Sequence, residues 1–219
     1  MSDRLKIAVL ISGSGSNLQA IIDAIQKNDI PCDIQLVVSN QAFAYGLKRA
    51  EYANLKTKII DHTTFPDRLS FDQAVGAAID QAGAEVIVLA GFMRIFSNWF
   101  VNSYRDRLIN IHPSLLPKFK GLETHKRALS AGEAYHGASV HLVTTELDDG
   151  PIILQGRITI QPNDTVDSLE NRVHKVEHKI YPTVIQWLAT RRLIITKSSI
   201  ILDHQALTTI GKVIDYENI

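Results

Sequence analysis

Short apolar runs alternate with amphipathic stretches through the first half of the chain. The runs from Ile7 to Ser12, Ile34 to Ser39, Lys58 to Asp61, Val86 to Ala90 and Leu108 to His112 are strand-like. Most of them are apolar at successive positions, as strands buried on both faces of a parallel sheet are. Between them, the segments from Asn17 to Lys27, Phe43 to Ala53, Arg68 to Ala82 and Ser97 to Tyr104 carry apolar residues at helical spacing. This βαβα order predicts an α/β fold, a doubly wound and mostly parallel sheet that binds ligands at the carboxyl ends of its strands.

After Pro113 the texture changes to segments punctuated by glycine and proline. Strands are expected from Gly137 to Thr144 and from Ile152 to Ile160, with Glu146-Leu-Asp-Asp-Gly-Pro151 as the loop between them. A long helix follows from Thr165 to Thr190, with Asp164 as its N-cap and an interruption or kink at Pro182. Residues 193–219 read as a strand or two and a tail packed on the domain formed by residues 1–192. No repeat or linker divides the chain, so a single domain is expected.

At 219 residues and 45% hydrophobic, the chain can bury about 70% of its unfolded surface in one core. Lys plus Arg and Asp plus Glu both number 23, and no basic run tracks a phosphate backbone, so a nucleic-acid partner has no support. Cys32 is the single cysteine and fits a reducing compartment. The N-terminus lacks the apolar core of a signal peptide, and no apolar run approaches the roughly 20 residues that span a bilayer, which points to the cytoplasm without a membrane partner. Eight histidines invite a metal reading, but His-Glu-x-x-His is absent and His174 with His178 is only an i, i+4 pair beside lysines, so no metal is expected.

Two segments carry candidate chemistry. Ile11-Ser-Gly-Ser-Gly-Ser-Asn17 joins the first strand to the first helix, where backbone N–H groups and the helix N-terminus suit an anion held chiefly by Gly15, Ser16 and Asn17. The dinucleotide fingerprint needs a small residue where Leu18 stands, and the second strand ends in Ser39-Asn40 rather than an acid, so a phosphomonoester suits the loop better than a nicotinamide cofactor. The fifth strand ends in Asn110-Ile-His112, two polar side chains on one face at the ligand edge. An amide and an imidazole can stabilise an oxyanion and move a proton in acyl transfer. Asp148 is a candidate partner for His112.

Asn110-Ile-His-Pro-Ser-Leu-Leu-Pro117, Ser12-Gly-Ser-Gly-Ser-Asn17, Leu89-Ala-Gly-Phe-Met-Arg94, His136-Gly-Ala-Ser-Val-His141 and Glu146-Leu-Asp148, in this order and spacing, closely resemble the phosphoribosylglycinamide formyltransferases of the folate-dependent formyltransferase superfamily, from about Leu5 to Arg192. The resemblance implies a Rossmann-like fold and formyl transfer from 10-formyltetrahydrofolate to the primary amine of glycinamide ribonucleotide. It further implies that Asn110 and protonated His112 hold the oxyanion of a tetrahedral intermediate, with Asp148 assisting. By the same resemblance, Ser14, Gly15, Ser16 and Asn17 cradle the substrate phosphate, and Glu177 meets the ribose or glycinamide end. Met93, Arg94 and Ile95 line the pterin cleft, Arg68 meets the folate glutamate, and the assembly is a monomer or homodimer.

Two positions depart from the pattern. Asp149 follows Asp148 where relatives commonly carry a small residue, which leaves the roles of the two acids open, and Glu123 stands where relatives often carry histidine. Among related chemistries, a formyltetrahydrofolate hydrolase would add an N-terminal regulatory domain. A methionyl-tRNA formyltransferase would add a C-terminal domain and a basic face, and neither pattern is seen here. A non-catalytic nucleotide-binding module would not require Asn110, His112 and Asp148 together.

Overall fold

A computed structural model describes residues 4–196, 199–217 and 219; the first three residues of the N-terminal segment and parts of the C-terminal one fall outside these. The helices are α1 (Ser16–Gln26), α2 (Tyr45–Tyr52), α3 (Arg68–Ala82), α4 (Asn98–Ser103), α5 (Thr124–Ser130) and α6 (Val166–Ala189). Strands β1 (Leu5–Ile11), β2 (Cys32–Ser39), β3 (Thr57–Ile59), β4 (Val86–Leu89) and β5 (Leu108–His112) run parallel to one another. They are joined by β6 (Tyr135–Leu142), antiparallel to β5, and by β7 (Ile152–Thr159), antiparallel to β6. A small antiparallel sheet of β8 (Leu193–Ile195), β9 (Ile200–Leu202) and β10 (Gln205–Ala206) follows, and β11 (Lys212–Asp215) returns to pair with β7. Among the described residues the main sheet has eight strands in the order β11-β7-β6-β5-β4-β1-β2-β3. The single-domain α/β sheet expected from the alternation is thus present.

The apolar runs follow from this layering. Side chains alternate across a strand, so Ile7, Val9 and Ile11 of β1 face the layer of α1 and α6, while Ala8 and Leu10 face that of α3 and α4. Each face has its own core, one holding Leu18, Val176, Ile180 and Tyr181 and the other Phe71, Val75, Ile79 and Phe100. At the sheet edge β3 is exposed throughout, because it is covered on neither face.

Local signals set the helix ends. Asp67 and Ser97 cap α3 and α4 by accepting the Ser70 and Phe100 N–H groups. Three expectations need correction. The N-cap of α6 is Thr165, in a reciprocal capping box with Ser168; Asp164 instead accepts the Gln161 N–H and pairs with Arg172 at 2.6 Å. Of the interruption or kink expected at Pro182, the interruption does not occur: α6 continues through it, with the ring buried and no donor for the His178 carbonyl. Among its described residues the tail forms four strands, one of which extends the main sheet, and Arg157 fastens it with two hydrogen bonds to Asp215.

Helix α6 approaches the sheet closely over β7. A Cβ at Gly156 would stand 2.2 Å from Val176 Cγ1, so only glycine admits this contact. One turn on from Glu177, the buried Tyr181 hydroxyl points at the Leu89 carbonyl of β4 and the Ile109 carbonyl of β5, at 2.9 and 3.1 Å. Removing a donor from two buried acceptors costs about 1–3 kcal/mol. Tyr181→Phe is therefore expected to lower the unfolding free energy by about that amount in urea denaturation, with an unchanged slope.

Candidate active site

Strand β1 lies between β2 and β4, and the chain builds outward from it first on one side and then on the other. Ligands bind an open α/β sheet at this switch point, beyond the carboxyl ends of the strands. Ser12 stands at the end of β1 and ties three loops together there. Its N–H donates to the Gly91 carbonyl at 3.1 Å, and its hydroxyl accepts the Met93 N–H at 2.7 Å and donates to Asn40 Oδ1 at 2.6 Å.

The glycine loop ends at Gly15, which adopts a left-handed conformation (φ 69°) and immediately precedes α1. A Cβ there would lie 2.5 Å from the Gly46 Cα, so a side chain would push α2 off the loop. Arg49 of α2 holds the loop from outside, with Nε donating to the Ser14 carbonyl at 2.9 Å. Among the described residues no side chain caps α1, and its first turn holds no acid. Its leading N–H groups, at Ser16 and Asn17, are therefore free to meet an anion. The Asn17 amide donates to Glu177 at 2.9 Å, and both side chains are buried. Burial pushes the Glu177 carboxyl above its ordinary range, against the pull of the Asn17 N–H. Asn17 Oδ1 is buried with no partner among the described residues.

At the end of β5, Asn110 and His112 face the same way, and antiparallel pairing sets His141 of β6 directly opposite Asn110. His141 Nδ1 lies 2.8 Å from the Leu142 carbonyl and must carry a hydrogen, so its Nε2 accepts from Asn110 Nδ2 at 3.2 Å. Burial lowers the His141 pKa and favours this neutral form. His112 Nε2 donates to the Phe119 carbonyl at 2.9 Å, leaving its Nδ1 edge 3.4 Å from Asp148 Oδ2. Asp148 also accepts the Gly121 N–H at 2.9 Å, and its other oxygen lies 3.8 Å from His141 Nε2. Phe119 and Asp148 both hold positive φ, 56° and 49°, local strain of the kind that gathers at working sites. Asp149 turns outward to Lys120 at 2.6 Å and is 54% exposed. The structure therefore brings Asn110, His112 and Asp148 together and leaves Asp149 outside the cluster.

The remaining sequence candidates lie on other segments. Met93 and Ile95, 70% and 58% exposed, sit on the loop after β4 with Arg94 between them, and Arg68 opens α3. Leu122 and Leu147 are likewise exposed on the segments beside Gly121 and Asp148.

The sequence profile of the formyl transferase family matches residues 5–185. The chain belongs to this family. It is 48% identical to phosphoribosylglycinamide formyltransferase of Escherichia coli (strain K12) over 211 residues, covering 96% of the chain and all of that protein. The enzyme of the same name from Haemophilus influenzae is 44% identical over 206 residues, 94% of the chain and 97% of its own. A solved structure of phosphoribosylglycinamide formyltransferase from Coxiella burnetii, in complex with CHES, superimposes with a TM-score of 0.93 at 52% identity, covering 96% of the chain and 99% of its own.

For this formyl transferase, sequence reasoning missed three contributors to the site. His141 stood in a quoted motif, but only the β5–β6 register sets it against Asn110. The Phe119 carbonyl is a backbone group and has no sequence signature, and Arg49 lies in an ordinary helical pattern. Beneath the site, His125 Nδ1 and His136 Nε2 meet at 3.1 Å, and burial lowers the His136 pKa to about 4. Such a histidine binds fewer protons folded than unfolded between about pH 6.5 and 4. Its contribution to stability is full above pH 6.5 and lost as pH falls toward 4, on the order of 3 kcal/mol. In denaturation series across that window, His136→Gln should lose stability less steeply than wild type; parallel curves would remove His136 as the titrating group.

Proposed function

We propose that this chain is a phosphoribosylglycinamide formyltransferase of the cytoplasm, moving the formyl group of 10-formyltetrahydrofolate to the primary amine of glycinamide ribonucleotide in de novo purine biosynthesis. The observation that carries the reading is the meeting of Asn110, His112 and Asp148 beside an uncapped helix N-terminus, in a chain matched end to end by phosphoribosylglycinamide formyltransferases.

The substrate phosphate sits on the N–H groups at Gly15, Ser16 and Asn17 with the Ser14 loop around it, and Arg49 adds positive charge behind that loop. Glu177, held by the Asn17 amide, accepts from a ribose hydroxyl or from the glycinamide end. Met93 and Ile95, with Arg94 between them, line the pterin cleft, and Arg68 takes the folate glutamate.

As the amine attacks the formyl carbon, a C–N bond forms and the carbonyl electron pair moves to oxygen. Asn110 Nδ2, oriented by its bond to His141, retains a second hydrogen for that oxyanion. The His112 Nε2 edge is occupied by the Phe119 carbonyl, so protonated Nδ1 is the edge that faces the reacting group, with Asp148 balancing its charge. The oxyanion's electron pair then returns to re-form the carbonyl and the C–N bond to folate breaks, while Asp148 relays the proton lost by the attacking nitrogen, through water, to the departing folate nitrogen.

Purified protein should convert glycinamide ribonucleotide and 10-formyltetrahydrofolate into formylglycinamide ribonucleotide. Turnover with water or a sugar amine, and none with this amine, would overturn the assignment. His112→Ala should lower kcat by roughly 10²–10⁴-fold with a small change in KM. Asp148→Asn should also depress kcat severely, whereas Asp149→Asn should stay within about twofold of wild type; equal losses would return the two acids to a shared role.

A further inference from the structure

Asp72 is a carboxylate buried to 1% exposure one helical turn after Arg68, on the same face of α3. Its Oδ2 accepts the backbone N–H of Ser97 at 2.6 Å. Ser97 caps α4 and stands three residues beyond Arg94, at the end of a segment pinned by the stacked rings of Phe92 and Phe96. One carboxylate oxygen thus fastens the segment carrying Arg94 to the helix carrying Arg68. The second oxygen, Oδ1, is buried and has no hydrogen-bond partner among the described residues.

A role in packing alone does not account for this group. Holding the Ser97 N–H takes one neutral acceptor, which an amide or hydroxyl supplies without the cost of burying a charge. A buried carboxylate with an idle oxygen is costly unless a cation meets it. The cations at hand are Arg68 and Arg94, whose charges oppose the upward push of burial on the Asp72 carboxyl.

We infer that Asp72 is a positioning residue for the folate site: it anchors the loop before α4 to α3 and sets the two guanidinium groups of Arg68 and Arg94 toward the carboxylates of the folate tail, with Oδ1 accepting from one of them when the tail is bound. The inference rests on the reading of Arg68 as the tail-binding residue and adds Arg94 of the pterin-cleft loop to it.

Asp72→Asn tests it, because the amide oxygen keeps the Ser97 bond and only the charge is lost. KM and kcat are measured with 10-formyltetrahydrofolate and with its counterpart lacking the glutamate, 10-formyltetrahydropteroate. Direct binding of a stable formyl-folate analogue, 10-formyl-5,8-dideazafolate, with and without the glutamate, is followed by fluorescence titration. Wild type should favour the glutamate-bearing compound in each pair. Asp72→Asn should raise KM and Kd for the glutamate-bearing compounds several-fold, lower kcat at saturating donor less than twofold, leave the tail-less compounds unaffected and keep the wild-type Tm. Equal losses for both members of a pair, or a fall in kcat as large as the rise in KM, would reduce Asp72 to a structural cap and overturn the inference. A wild-type protein that treats tailed and tail-less compounds alike would remove the tail-binding reading beneath it. A wild type that discriminates, beside a variant that discriminates equally well, would remove Asp72 alone.

Discussion

The close seating of α6 on the sheet is the contact on which the rest of the molecule depends. Leu169, Val173, Val176, Ile180, Val184 and Ile185 are fully buried along it, each worth up to about 1.5–3 kcal/mol in transfer free energy before entropy is counted. Those side chains need Gly156 beneath them, since any larger residue in β7 would lift the helix. The same helix face carries the polar links to the site. Glu177 reaches Asn17 at the start of α1, and Tyr181 reaches the Leu89 carbonyl of β4 and the Ile109 carbonyl of β5. Two buried polar side chains on an otherwise apolar face thus set the anion loop and the Asn110–His112 strand at a fixed separation, and apolar packing makes that separation rigid.

Within the site, two histidines of the same chemistry are given different tasks by their hydrogen-bond partners. His141 spends Nδ1–H on the Leu142 carbonyl and is pushed toward neutrality by burial, so its free nitrogen can only accept, which orients the Asn110 amide as a donor. His112 spends Nε2 on the Phe119 carbonyl and turns Nδ1 toward Asp148. One carboxylate lies between them, 3.4 Å from the first ring and 3.8 Å from the second. The Gly121 N–H holds that carboxylate on the same oxygen that faces His112.

Much of this was legible in the sequence where a property is local. The limits of β5 and α3 match the predicted Leu108–His112 and Arg68–Ala82, because buried strands and capped amphipathic helices write their periodicity into consecutive residues. Asn110 and His112 could be paired because a strand repeats every two residues. What escaped depends on contacts distant in sequence or on backbone conformation. Helix α5 is too short for a periodic signal, and its N-cap, Glu123, holds positive φ. The edge strand β11 has meaning only once β7 is there to pair with it. Asp148 and Asp149 are chemically identical, and the left-handed turn at Asp148 is what sends one inward to His112 and the other out to Lys120.

The antiparallel β6 explains why the site resisted a reading by motif alone. In an antiparallel pair, directly opposed residues share a face, so Asn110 meets His141 although 31 positions separate them. A slip of one residue in that register would turn His141 to the other face and leave the Asn110 amide without its acceptor. The register is pinned from the far side as well. Between Val140 and His141 the pairing with β7 shifts from Leu154 to Ile152, an extra residue on β7 that bends the ladder beside His141. Immediately beyond, the Leu142 N–H donates to the Pro151 carbonyl, closing the loop that carries Asp148 back over the face bearing Asn110, His112 and His141. A residue-level motif therefore marks what the site contains, while the β5–β6–β7 register determines whether those groups meet.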